Sequence, residues 1–88
     1  MTDVLSWTKE AWSDYLYWQG QDKRTLHRIS QLIDDTWCSP FKGIGKPEHL
    51  KANLSGFWSR RIDETNRLVY TIDDGQLTII SCRYHYEK

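Results

Sequence analysis

The chain has 88 residues, 39% of them hydrophobic and 14% aromatic, with only two prolines; this is the composition of one packed domain over residues 1–88, and it argues against disorder or a second domain. Twelve Lys and Arg balance twelve Asp and Glu, so net charge alone selects no polyanionic partner. The N-terminal MTDVLSWTKEAW has no apolar run of signal or membrane length, and Cys38 and Cys82 form no metal-ligand or redox spacing. The expectation is a cytoplasmic protein with reduced thiols and no membrane association.

In chain order, Val4 to Trp7 reads as a short strand. Thr8 is placed to cap a helix, with Glu10 in its first turn and Ala11, Trp12, Tyr15, Leu16 and Gln19 at helical spacing until Gly20 ends the run. Asp22 caps a second helix whose apolar stripe is Leu26, Ile29, Leu32, Ile33 and Trp37, stopped at Ser39-Pro40. FKGIGKPEHLKANLSG, with three glycines and a proline, reads as a long structured loop, a feature that compact domains usually keep for function. Beyond it the period becomes two: FWSRRI, RLVYTI and QLTIISCRY are three strands, the last two joined by the hairpin signal Asp74-Gly75. The order β-α-α-β-β-β implies an α+β fold with two helices on one face of an antiparallel-dominated sheet and the other face open. Five tryptophans are many for such a core, and some are expected at an interface.

Charge is not spread evenly. Before Pro40 there are six acids and four bases; from Pro40 to Tyr70 there are six bases, Lys42, Lys46, Lys51, Arg60, Arg61 and Arg67, against Glu48, Asp63 and Glu64. A basic patch on a neutral protein suits a phosphate-bearing partner, although a solvated face gives the same pattern. Asp34-Asp35 and Asp73-Asp74 are explained by a helix end and a turn, and no phosphate loop, serine elbow or metal cluster is present in the sequence. Neither a metal nor any other cofactor is expected.

What remains is a base, an acid and a cation, which together can cut RNA. The 2′-OH is the nucleophile, so a protein need only take its proton, protonate the departing 5′ oxygen and stabilise the phosphorane. Glu48, His85 and Arg67 suit those roles, each proton-transfer group being worth roughly 10²–10⁴-fold. Each also has a bland reading: a solvated acid, a residue near a fraying terminus, a surface strand arginine. The bulky Tyr84-His85-Tyr86 run argues for a docked terminus rather than a loose one.

DYLYWQ, DKR, SPFKGIGKPEHLKANLSGFWSRRI, RLVY and CRYHY, in this order and over about Trp7 to Tyr86, resemble the YoeB toxins of type II toxin–antitoxin systems, within the RelE superfamily. The resemblance implies a RelE-like fold and a ribosome-dependent mRNA endoribonuclease that inhibits translation from the ribosomal A site. It also implies neutralisation by a YefM-like antitoxin, and leaves a homodimer open. Carried over by motif, the general base is Glu48, the phosphate-stabilising arginine Arg67, the general acid His85 and the aromatic terminal residue Tyr86, with Lys46, Lys51 and Arg61 as phosphate contacts. The implied products are a 2′,3′-cyclic phosphate and a 5′-OH, formed without a metal. Unlike the family pattern, which commonly ends at the tyrosine, this chain continues with Glu87 and Lys88. Competing readings are a same-fold toxin that is not a nuclease, an antitoxin-binding corepressor, and a single-stranded RNA binder that stacks bases on Phe57, Trp58 and Tyr86.

Overall fold

The computed structural model describes residues 3–51 and 56–84. Strand β1 (Val4–Trp7) leads into helices α1 (Lys9–Gln21) and α2 (Lys23–Cys38), then strands β2 (Glu48–His49), β3 (Trp58–Arg61), β4 (Arg67–Asp73) and β5 (Gln76–Ser81). The sheet order is β1-β5-β4-β3-β2, parallel only between β1 and β5.

Local chemistry sets most boundaries. The Thr8 hydroxyl accepts from Ala11 N at 3.0 Å and donates to Ile80 O at 2.7 Å, so one side chain caps α1 and ties it to β5. Asp22 closes α1, its amide donating to Trp18 O, and opens α2, its carboxylate accepting from the amides of Arg24 and Thr25. Helix α1 therefore runs through Gly20, not to it: the side chain at 22, rather than the glycine, ends the helix. Asp74 and Gly75, at φ 53° and 81°, make the two-residue turn between β4 and β5 in the left-handed conformation that this hairpin demands.

Alternation sorts the sheet into two faces. Leu68, Tyr70, Leu77 and Ile79 are buried with Ile29, Leu32 and Ile33 of α2 and Ala11 of α1, and Trp7, Trp18, Trp37 and Trp58 pack against them. Four of the five tryptophans thus belong to the core, and Trp12 remains exposed. Tyr70 pairs with Ile79 but Val69 with Ser81, so Ile80 is an extra residue in β5. This bulge resets the alternation and turns Cys82 inward, where its amide donates to the Asp14 carboxylate at 3.0 Å.

The long loop differs from expectation in one respect. Glu48 and His49 form a two-residue strand on the edge of the sheet, with Glu48 opposite Ser59 and His49 opposite Trp58. A strand so short, straight after Lys46-Pro47, carries no periodic signal.

Candidate active site

Partners in an antiparallel pair project from the same face, so the register places the candidate residues. Glu48 is opposite Ser59, and Ser59 is opposite Val69; two positions along β3, Arg61 is opposite Arg67. Trp58 and Arg60, the alternate residues, turn toward the helices. Glu48, Arg61 and Arg67 therefore share the face that neither helix covers, with Glu48 and Arg67 separated by two strand spacings and two residues, roughly 12 Å between Cα atoms.

Arg67 is held on three sides. Its amide donates to Tyr84 O at 3.1 Å, and its Nη1 donates to Asp63 O at 2.7 Å and Asn66 O at 3.1 Å. The β3–β4 turn that offers these carbonyls is itself braced, because the Asp63 carboxylate accepts from the amides of Thr65 and Asn66 and from the Asn66 side chain. Burial pushes the Asp63 carboxyl up, but these hydrogen bonds and the Arg67 charge outweigh it and hold the group below its usual value. Nη2 and Nε of Arg67 have no partner among the described residues, so one edge of the guanidinium is free for an anion.

Arg61 and Lys46 are exposed, and so is Lys51. Lys46, at φ 51°, follows Gly45, whose carbonyl accepts from Arg61 N at 2.7 Å. The structure thus brings together Lys46, Glu48, Arg61 and Arg67 around β3. His85 and Tyr86 lie outside the described residues. The last described residue is Tyr84, bonded by its amide to Asn66 Oδ1 at 2.6 Å and by its carbonyl to Arg67, so the chain leaves the described region beside Arg67. The preceding Arg83 stacks its guanidinium 3.4 Å from the Tyr17 ring centroid, and Trp18 Nε1 donates to Cys82 O at 2.8 Å. Helix α1 fixes the segment just before the proposed acid.

Arg60 leaves the basic patch. It is fully buried and ion-paired with Asp35 at 2.6 Å, so the exposed cations of the segment are Lys42, Lys46, Lys51 and Arg61, with Arg67 half-buried. A signal was present in the sequence: Trp58, Arg60 and Ile62 fall on one side of a period-two pattern. Trp58, one of the proposed base-stacking aromatics, is half-buried between Phe41 and His49, with ring centroids 4.8 and 5.1 Å away. It packs against the core, which disfavours that stacking role. Among the described residues no group of three or more His, Cys, Asp and Glu converges, and no helix is long and apolar enough to cross a membrane.

The model of the YoeB-like toxins of bacterial type II toxin–antitoxin systems matches residues 7–86. The chain belongs to this family. Toxin YoeB of Escherichia coli K12 is 61% identical over 82 residues, 93% of this chain and 98% of the relative, and Toxin YoeB of Synechocystis is 57% identical over 84 residues, 96% of this chain and 98% of the relative. A solved YoeB/ParE toxin from Agrobacterium tumefaciens superposes with a TM-score of 0.91 at 43% identity, covering 96% of this chain and all of that one. The YoeB of a heterotetrameric YoeB-YefM complex from Staphylococcus aureus follows at 0.87 and 42%, over 98% and 99%. YafQ from E. coli, at 16% identity and a TM-score of 0.72 over 97% and 94%, shares the fold. The sheet with two helices on one face is thus the architecture of the YoeB toxins, as the residue pattern and the resemblance predicted.

Proposed function

We propose that this YoeB-family chain is a ribosome-dependent endoribonuclease that cuts mRNA in the A site by attack of the 2′-OH on the adjacent phosphate. Glu48 takes the 2′-OH proton, Arg67 faces the phosphorane through its free guanidinium edge, and His85, one peptide bond beyond Tyr84, donates a proton to the departing 5′ oxygen. Tyr86 completes the terminus, and Lys46, Lys51 and Arg61 hold neighbouring phosphates. Bond making and breaking balance as a 2′,3′-cyclic phosphate and a 5′-OH, with one proton taken and one given. The observation that carries the reading is the register of β2, β3 and β4, which puts a carboxylate and two arginines on the sheet face that no helix covers, Glu48 and Arg61 exposed at its rim and Ser59 and Val69 buried between them. Such a surface admits a polymer presented by a large partner.

A solved YoeB-YefM complex and a solved YoeB dimer, both from Staphylococcus aureus, support a YefM-like antitoxin and a homodimer as protein partners of this chain too. The nuclease reading is tested by mapping mRNA on programmed ribosomes by primer extension, with and without the protein. New 5′ ends within the A-site codon, absent for Glu48→Ala, are expected. Intact mRNA under conditions where the protein binds the ribosome would move the reading to a non-nuclease toxin.

A further inference from the structure

We infer that Arg60 is the positioning residue of the site, a buried clamp that shapes the loop carrying Lys46 and Glu48 and thereby fixes the proposed base. The inference rests on the proposed function only for what the loop does, not for how it is held.

A guanidinium has five N–H groups in a rigid fork. All five of Arg60 are used inside the protein. Nε donates to Tyr70 Oη at 3.2 Å; Nη1 donates to Asp35 Oδ2 at 2.6 Å and Ile44 O at 3.1 Å; Nη2 donates to Ser39 O at 2.5 Å and Lys42 O at 3.0 Å. Nothing is left for a phosphate. Three of the acceptors are backbone carbonyls spread over residues 39–44, so the loop is wound around one cation. The same network closes from outside: Tyr70 Oη donates to Pro40 O at 2.7 Å, and Asp35 Oδ2 accepts from Ile44 N at 3.0 Å.

The clamp is transmitted to the open face through β3 itself. Arg60 points inward, while its neighbours point outward and hold the loop's far end: Arg61 N donates to Gly45 O, and Ser59 pairs with Glu48. Residues 59–61 of β3 therefore grip the loop twice, through the Arg60 side chain at residues 39–44 and through the strand's own backbone at 45 and 48. Fit is tight at Gly45, where φ is 81° and a Cβ would come within 2.7 Å of Leu32 Cδ2 and 3.1 Å of Arg60 Cβ. A loop held this closely to a buried fork carries Glu48 at a fixed offset from Arg67, which proton transfer and phosphate contact both require.

The test uses Arg60→Lys, which keeps the charge but not the fork, and Asp35→Asn, which keeps the loop bonds to Arg60 and removes the counter-charge. Both are measured in the full chain by amide hydrogen exchange and by single-turnover mRNA cleavage at saturating and sub-saturating ribosome. The expected result is faster exchange at Ile44 and Arg61 with the amides of α1 unchanged, together with a cleavage rate at saturation lowered on the order of 10- to 100-fold for Arg60→Lys. The half-saturating ribosome concentration should stay within about twofold, because no phosphate contact is lost. A merely structural role would lower the active fraction without separating rate from half-saturation. If Arg60→Lys does not fold, Asp35→Asn carries the test with a smaller defect of the same kind. Wild-type exchange at Ile44 in both variants, or a loss confined to ribosome affinity, overturns the inference. Should the wild-type protein cut no RNA, the proposed function fails, and the exchange data alone decide whether Arg60 clamps the loop.

Discussion

Arg61 and Arg67 stand directly opposite one another on β3 and β4, on the face that no helix covers. Like charges in that relation destabilise a sheet by up to about 1 kcal/mol, and by only a few tenths where solvent screens them. The cost is offset when a polyanion lies across the pair. Arg61→Thr is therefore expected to raise the melting temperature slightly while weakening ribosome binding, and to make the logarithmic salt dependence of that binding shallower by roughly 0.7 to 0.9. Thermal melts and binding titrations at several salt concentrations measure the two effects on one variant. A variant less stable than the wild type, with its salt dependence intact, would assign Arg61 a structural role.

Asp14 gives a stability prediction with the opposite sign from Asp22, Asp35 and Asp63. Burial raises its pKa, only partly opposed by the hydrogen bond from Cys82 N. An acid raised in the folded state contributes stability below its unfolded value, near 3.8, and loses it as pH rises through the folded value. At neutral pH the ionised Asp14 is thus a burden. Asp14→Asn keeps an acceptor for Cys82 N without the charge, and should melt higher than wild type at pH 7, the gap closing toward pH 3. Asp35 behaves conversely: hydrogen bonds from Arg60 and then Ile44 hold it low, so its contribution is present above its unfolded value and is lost on acidification. A wild-type and Asp14→Asn pair of pH-dependent melting curves that never converge would contradict the assignment.

These two cases show what a sequence does and does not disclose. The caps at Thr8 and Asp22 and the Asp74-Gly75 turn were legible because each depends on one or two residues acting on nearby backbone, and the strand Val4–Trp7 because its short, largely apolar run is closed off by the Thr8 cap. The inward turn of Arg60 was half legible, hidden by the habit of counting every arginine as surface charge. The strand Glu48–His49 was not legible, since two residues have no period and their conformation comes from Ser59 and Trp58 across the sheet. The bulge at Ile80 was equally hidden, although it is what sends Cys82 to Asp14 and the chain onward to Arg67. Candidate residues could be named from chemistry and from the family's motifs. That Glu48, Arg61 and Arg67 share one face needed the register.

The same face predicts where a YefM-like antitoxin acts. Lys46, Arg61 and Arg67 lie on the same side of the molecule as Glu48, three cations to one carboxylate, a surface that an acidic or aromatic segment complements. Amides in residues 45 to 67 and in the segment from Arg83 onward should gain hydrogen-exchange protection in the complex, and added RNA fragments should compete with the antitoxin in a salt-dependent way. Protection confined to α1 would place the inhibitory contact elsewhere.

The division of labour among Glu48, Arg67 and His85 can be separated by substitutions that leave binding alone. His85→Ala should lower the single-turnover rate roughly 10²–10⁴-fold with ribosome affinity nearly unchanged, the loss belonging to proton donation. His85→Gln keeps size and a hydrogen bond but transfers no proton near neutrality, so it should be almost as slow; a positioning role would leave it substantially active. Arg67→Lys keeps the charge yet cannot both hold Asp63 O and Asn66 O through one edge and offer a second edge to the phosphate, so an intermediate defect is expected. A substrate with 2′-deoxyribose at the cut nucleotide lacks the nucleophile and should resist every variant. If His85→Ala cleaves at the wild-type rate while Lys51→Ala abolishes chemistry without weakening binding, the acid is not His85, and the proton comes from a lysine or from the ribosome.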